Sequence, residues 1–296
     1  MILISGIINT QPDLILDQIT LYNATMGGVG ACCHILHVNA DAVRKGLLAE
    51  LKLPANAFIN PLHMHTKQPT FLGCHVANIL FAARGGLPFT HVYLHTDSDL
   101  PYRPGLGEHI RAHDLGLKKP NIFDPDKSIS MWAQPVGADA RLRNFVYANG
   151  GGVIYQSRYE GMFATRELMN EIMLQMATVW PFDENHWRGD YPYEEFALPT
   201  IVENIVRHRN LRRSRHAVMT APSHGQYGLG SRMPLLAEHI PLLKKEPPDV
   251  FSAKFAPSEI DSPVRVFART ALGLAESNSQ STWVASSGGE VVGALG

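Results

Sequence analysis

The sequence predicts an α/β protein whose central sheet is mainly parallel, with helices on both faces, and three observations predict it. Short, continuously apolar runs suited to buried strands recur along the chain. The first of them are followed by segments whose apolar residues repeat at helical spacing. At least one run ends in a polar turn, where such sheets place their ligands, beyond the carboxyl ends of the strands.

Ile2 to Ile8 reads as a core strand, and after Pro12 the residues Leu14, Ile15, Ile19 and Leu21 mark an amphipathic helix. The pattern repeats in His34 to Val38 and then Ala40 to Leu51, where Val43, Leu47, Leu48 and Leu51 face one way and Arg44, Lys45 and Glu50 the other. Ala57 to Ile59 is a third strand, Val76 to Ala83 a buried helix, and Thr90 to His95 a fourth strand ending in the turn Thr96 to Pro104. Leu115 to Arg141, rich in prolines and polar residues, reads as a long connection. Gly150 to Gly152 then precede a short strand, Val153 to Gln156, followed by helices over Ala164 to Met176 and Glu195 to Arg207. Strands are expected near His216 to Met219 and Val250 to Phe255, and the serine- and glycine-rich end beyond Glu276 reads as a frayed tail.

Composition narrows the function classes. The chain has 296 residues, 45% hydrophobic and 18% charged, with a formal net charge of −1. That argues against a disordered or nucleic-acid-seeking protein, so any charged partner must meet a local patch. Three cysteines, Cys32, Cys33 and Cys74, make neither a disulfide framework nor a four-cysteine zinc site, which fits a reducing compartment. The start reads as a strand and not an export signal, and no apolar run reaches the length of a membrane span. A cytoplasmic protein, at most peripheral to a membrane, is expected.

Several segments carry a resemblance by their order. HILHVNAD (His34 to Asp41) is similar to a strand followed by a "HvD"-type turn, and HVYLHTDSDLPYRP (His91 to Pro104) to an "LSGxDfPL" segment, with Asp99, Leu100 and Pro101 in register. VIYQSRYEGMFATRELMNEIM (Val153 to Met173) resembles "GSqWwaLsRe", YEEFALPTIVEN (Tyr193 to Asn204) resembles "PDExfxqTil", and DVFSAKF (Asp249 to Phe255) resembles "lFarKf". Together, in this order, they resemble the core-2/I-branching β-1,6-N-acetylglucosaminyltransferase and peptide xylosyltransferase group of glycosyltransferases, over most of the chain. Asn39 stands where that family has aspartate, Tyr193 and Glu194 where it has Pro and Asp, and Arg158-Tyr159-Glu160 where it has a Gln-Trp pair. These departures bear on substrate identity more than on reaction type.

The resemblance implies a GT-A-like single domain over residues 1–276, with a nucleotide-binding half at about 1–110, an acceptor and catalytic half at about 111–276, and a flexible tail at 277–296. It implies an inverting transfer of GlcNAc or xylose from a UDP-sugar to a hydroxyl of a glycan acceptor. Such chemistry needs a base for the acceptor proton and positive charge for the leaving diphosphate. Glu195 matches the family's catalytic glutamate; the bland reading is a pair of acids favouring a helix N-terminus. Lys254, flanked by Phe251 and Phe255 on an apolar strand, is the expected diphosphate contact, unless it merely snorkels to water. Asn39 and Asp41 are expected near the nucleoside and Asp99 beneath the donor. Glu160, Tyr159 and Trp187 are expected at the sugar or acceptor, with Arg166 orienting Glu160.

Two alternatives remain at this stage. Asp97-Ser98-Asp99 is a DxD triplet, with which many sugar transferases hold Mn²⁺ or Mg²⁺; the favoured expectation is no metal cofactor. A noncatalytic carbohydrate- or nucleotide-binding protein of the same fold is the other. Arg207, Arg209, Arg212, Arg213 and Arg215 form the densest basic stretch, from which one arginine is expected to reach the diphosphate; nucleic acid is not an expected partner. His63, His65, His75, His91 and His95 lack metal-site spacing, and Gly27-Gly28-Val29-Gly30 follows a helix where a nucleotide loop would follow a strand.

Overall fold

The computed structural model describes residues 1–66, 71–149, 151–180, 190–214, 218–221 and 233–274. The expected tail at 277–296 lies outside the described residues. In chain order the elements are β1 (Ile2–Ile8), α1 (Pro12–Met26), β2 (Cys32–Val38), α2 (Ala40–Arg44), α3 (Leu47–Glu50), β3 (Ala57–Ile59), α4 (Phe71–Arg84), β4 (His91–Thr96) and β5 (Asp99–Pro101). Then follow α5 (Leu106–Ala112), β6 (Leu115–Gly116), β7 (Asn121–Phe123), α6 (Ala133–Ala138), α7 (Ala140–Ala148), β8 (Ile154–Gln156) and β9 (Phe163–Thr165). The last are α8 (Arg166–Val179), α9 (Ala197–Val206), β10 (Met219–Thr220), α10 (Ile240–Lys245), β11 (Ser252–Lys254) and α11 (Pro263–Ala271).

The central sheet has six strands in the order β3-β2-β1-β4-β9-β6. The first four are mutually parallel, and β9 runs antiparallel to both β4 and β6. Ile2 pairs with both Cys32 and His91, so β1, β2 and β4 reach the same edge at Ile8, Val38 and Thr96. Every residue of these three strands is buried, as expected of strands covered on both faces. Alternate residues serve opposite layers. Leu3 and Ile35 pack with Leu72 and Val76 of α4 and with Leu168 of α8, while Ile2 and Ile4 pack with Tyr22 and Met26 of α1 and with Leu106 and Ile110 of α5. This is the mixed α/β architecture, with helices on both faces, that the alternating pattern predicts.

A second, three-stranded sheet, β10-β11-β5, stands at the carboxyl edge of β4, and β7 and β8 form a hairpin-like pair. The departures from expectation have local causes. The helix predicted over Ala40 to Leu51 is broken by Gly46, whose φ of 87° is a left-handed conformation. Ala164 and Thr165, predicted as the start of a helix, belong instead to β9, which pairs with β4, and Thr165 caps α8 by accepting from the Leu168 N–H. The connection predicted over Leu115 to Arg141 contains β6, β7 and α6 and ends in the first turn of α7.

The helix α11 is one the sequence reading passed over, although Ser262 caps it by accepting from the Arg265 N–H and Pro263 opens it. Arg265 and Arg269 are buried on it, 2% and 8% exposed, and both bind the Asp17 carboxylate of α1, at 2.7 Å and 2.9 Å. Arg265 also donates to the Pro257 carbonyl and Arg269 to the Ile260 carbonyl. An Asp17→Ala change leaves two buried guanidinium groups without their anion. It should cost on the order of 3–5 kcal/mol in urea unfolding; a loss below about 1 kcal/mol would show that the clip carries little of the stability.

Candidate functional site

The turn after β4 is built by Asp99. Its carboxylate accepts from the Thr96 N–H at 2.7 Å and from the Thr96 hydroxyl at 3.1 Å, folding residues 96–99 into a closed loop. Gln18 of α1 donates to the carbonyls of Thr96 and Asp99, and Asp97 accepts from the Asn9 N–H at 2.7 Å, tying the turn to the end of β1. The loop is therefore fixed from three sides before any ligand is considered.

Lys254 completes it. β11 pairs antiparallel with β5 so that Lys254 stands directly opposite Asp99. The ammonium lies 2.8 Å from Asp99, 2.6 Å from the Thr96 hydroxyl and 3.2 Å from Glu160 Oε1. Asp99 is fully buried and Lys254 only 6% exposed. Burial works against the ammonium, but Asp99 and Glu160 more than offset it and hold Lys254 charged above its ordinary range. Burial likewise pushes Glu160 up, and Lys254 and Arg158 reverse the shift and hold it below the usual carboxylate range.

Glu160 is carried by the turn between β8 and β9. Gly161 donates to the Leu94 carbonyl of β4 at 3.0 Å with φ at 79°. A Cβ there would come within 3.0 Å of Met219, so glycine lets the turn lie against β10. The result is a cleft of about 400 Å³ at the carboxyl edge of the sheet, whose polar lining is Lys118, Arg158, Glu160, Thr220, Glu246 and Lys254. Buried ion pairs add little net stability, because desolvation consumes most of their attraction. A lysine sunk between two carboxylates at the mouth of a cleft is better explained by chemistry than by folding.

The structure brings Lys254, Asp99 and Glu160 into direct contact. Glu195 is set in the turn ahead of α9, not within the helix, and its carbonyl accepts from the Ser157 N–H at 3.0 Å. That bond places its backbone beside Arg158, which lines the cleft. Asn39 and Asp41 stand on the same sheet edge but at the end of β2, away from the cleft lining. The Asn39 side chain caps α2 by accepting from the Asp41 N–H at 2.9 Å, and Asp41 pairs with Arg44 at the surface. Tyr159 is 2% exposed, edge-on to the His75 ring at 5.5 Å, its buried hydroxyl having no hydrogen-bond partner among the described residues. Trp187 lies outside the described residues. Trp180 is buried, its indole N–H bonded to Asp139.

Two expectations are corrected. Arg166 does not orient Glu160: it sits at the opposite end of β4, its N–H on the Thr90 carbonyl and its guanidinium over the Phe89 ring at 4.8 Å. The basic stretch also turns away from the cleft. Arg209, Arg212 and Arg213 pair with Glu171, Asp114 and Glu203, and Asp114 belongs to the amino end of β4, where its carbonyl holds the Thr165 N–H. A six-residue strand separates the two ends by roughly 16 Å. Arg215 lies outside the described residues.

The cations that do line the cleft, Lys118 and Arg158, escaped the sequence reading. Lys118 had no signal beyond a surface lysine in a long loop, whereas Arg158 stood within the aligned segment as a departure from it. The aspartates of the DxD triplet are already engaged, Asp97 by Asn9 and Asp99 by Thr96 and Lys254. Asp99 therefore does not fit the part of a metal ligand: an ammonium of the chain itself occupies the position a divalent ion would take. Among the described residues no group of three or more His, Cys, Asp or Glu side chains could hold a metal ion. No helix among them is long and apolar enough to cross a membrane.

Glu194 was singled out only as a departure from the family segment. It is 1% exposed, and no side chain among the described residues donates a hydrogen bond to its carboxylate. Burial pushes its pKa up to about 8, with a further contribution from the charges of Glu195 and Glu160.

No family model and no curated protein matches the chain. Among solved structures it is similar to a galactosyltransferase in complex with donor and acceptor sugar analogs, at 12% identity and a TM-score of 0.43, over 93% of this chain and 96% of that one. It is also similar to a nucleoside-diphosphate-sugar pyrophosphorylase from Vibrio cholerae, at 11% identity and a TM-score of 0.36, over 73% of this chain and 91% of that one.

Removing the ammonium tests how the floor of the cleft is held. Lys254→Met strands Asp99 and Glu160 as uncompensated buried carboxylates, and should lower unfolding free energy by about 3–5 kcal/mol at pH 8. Without their cation the two acids protonate more readily, so the penalty should shrink at pH 5. Urea titrations at both pH values check this, and an equal loss at each would rule out the charge explanation.

Proposed function

We propose that this protein is an inverting glycosyltransferase that moves a sugar from a UDP-sugar, with GlcNAc or xylose as the sugar, to a hydroxyl of a glycan acceptor, without a metal cofactor. The observation that carries the reading is Lys254, buried between Asp99 and Glu160 at the carboxyl edge of the sheet and opening on a cleft lined by two more cations. The order of family-like segments in the sequence supports it independently. The enzyme acts in the cytoplasm, at most peripherally on a membrane, in the assembly of polysaccharide.

In this reading the acceptor oxygen attacks the anomeric carbon and its proton passes to the Glu195 carboxylate. The anomeric carbon–oxygen bond breaks on the opposite face, and its electron pair stays on the leaving diphosphate. Lys254, Arg158 and Lys118 meet the charge that grows there; a fixed donor of this kind contributes about 10²–10³ in rate. Asp99 holds Lys254 in place, and Glu160, the carboxylate of the pair that lines the cleft, stands on the side of the sugar. Asn39 and Asp41, at the neighbouring strand end, serve the nucleoside, and Tyr159 and Trp187 complete the sugar and acceptor side. A metal-dependent transfer through Asp97 and Asp99, or binding without turnover, would be the outcome if the measurements below go the other way.

Glu195→Gln should lower transfer by about 10²–10⁴-fold while leaving UDP affinity within a factor of a few. Wild-type turnover in that variant would remove Glu195 as the base. A thermal-shift panel of nucleotide sugars should show a rise in Tm with UDP-sugars that is the same in excess EDTA as with Mn²⁺ or Mg²⁺. A rise that needs the ion would restore the metal-dependent alternative.

A further inference from the structure

We propose that the outer face of the β7–β8 pair, with the cavity at its far end, is a subsite for a neutral oligosaccharide, holding the body of a glycan acceptor whose reacting end lies in the cleft. The inference deepens the glycosyltransferase reading and rests on it for the role of the glycan, though not for its binding.

The strand pair leads from the cleft to a second cavity. Lys118 and Arg158, which line the cleft, stand just outside β7 and β8, and the Ser157 hydroxyl donates to the Lys118 carbonyl at 2.7 Å, closing that end of the pair. At the other end, where Phe123 pairs with Ile154, lies a cavity of about 410 Å³. That size is ordinary for a small-ligand site. Three paired residues, roughly 10 Å of extended chain, carry the surface between the two, more than one sugar spans and within reach of a short oligosaccharide. Alternation turns Phe123 inward, onto the Phe196 ring at 4.8 Å, and leaves Ile122 and Tyr155 directly opposite each other on the outer face. Ile122 is 72% exposed and Tyr155 half-buried, so the route between the cavities is apolar and open to solvent.

The far cavity has two walls. One is α7, on which Arg143 and Tyr147 stand four residues apart and therefore on one face. Tyr147 is 73% exposed, and neither its side chain nor that of Arg143 makes a hydrogen bond, ion pair or ring contact with a described residue. The other wall is the turn at 124–126. A Cβ on Gly137 would come within 3.0 Å of Pro125, so glycine there lets the turn close against α6. Asp124 is already engaged, by the Asp126 N–H at 3.1 Å and Lys127 at 2.8 Å, whereas the Asp126 carboxylate accepts no hydrogen bond from a described residue. Lys127 offsets Asp124 and Arg143 offsets Asp126, so the cavity favours neither an anion nor a cation. It offers a fork of donors, a carboxylate acceptor and an open aromatic ring. A sugar matches this set, its hydroxyls bonding to the two charged groups and its C–H face lying on the tyrosine.

The test is ligand-observed NMR titration of xylotetraose and chitotetraose, the neutral tetrasaccharides of the two proposed donor sugars, against xylose, N-acetylglucosamine and the acidic tetragalacturonate, with UDP titrated in parallel. A neutral tetrasaccharide should bind more tightly than its monosaccharide and than tetragalacturonate. Tyr147→Ala should weaken it by about three- to tenfold, Tyr147→Phe should restore it, and UDP affinity should be the same in all three proteins. Both Tyr147 and Arg143 are exposed, so their variants should keep the wild-type Tm, and Arg143→Ala serves should Tyr147→Ala fail to fold. Absence of tetrasaccharide binding, equal binding to wild type and Tyr147→Ala, or a preference for tetragalacturonate overturns the inference. If UDP does not bind wild type, the reading of the cleft fails instead, and loss of the tetrasaccharide in Tyr147→Ala still upholds the glycan site.

Discussion

The contact on which the rest of the site depends is the ammonium of Lys254 between Asp99 and Glu160. It joins three segments far apart in sequence: the turn from β4 into β5 through Thr96 and Asp99, the strand β11 that carries Lys254, and the turn before β9 through Glu160. None of these elements is long enough to be stable alone, since β5, β9 and β11 are each three residues. Leu100 of β5 and Ala253 of β11 are held by packing with Leu21, Tyr102 and Val264, and the ion cluster adds the charged contact that ties this strand pair to the turn before β9.

Much of the fold was legible because apolar runs and helical periodicity report burial directly. β1 and β3 fall on their predicted ranges and β2 and β4 within two residues of theirs, since each is a continuous run that a two-faced core demands. Legibility failed at β9, which is three residues long and merges into a helix, and at position 46, where a single glycine divides what reads as one helix. At β9 a tertiary pairing overrides a local pattern, whereas at position 46 the left-handed backbone of one glycine breaks the helix.

The candidate site divides along the same line. Lys254 is conspicuous in sequence because an ionised side chain between phenylalanines needs a partner, and the structure supplies two. Glu160 is visible only through the order of segments, and Asp99 through that order and the Asp97-Ser98-Asp99 triplet. Lys118 and Arg158 come into the cleft from loops whose course no periodicity encodes, and in the arginine-rich stretch, the plainest basic signal, Arg209, Arg212 and Arg213 pair with Glu171 of α8, Asp114 near the amino end of β4 and Glu203 of α9. Local charge density is thus a poor guide to where charge is used, because exposed cations pair with whatever acids lie nearby.

The clip between Asp17 and the two arginines of α11 spans 248 and 252 positions of the chain. During synthesis at roughly 5–20 residues per second, the acid on the first helix waits on the order of 10–50 s for its partners to leave the ribosome. Until then Asp17 must remain hydrated, so the first helix cannot settle fully against the strands beside it. The nascent chain is held open at its beginning by what is made near its end, and docking of α11 is a late closing step.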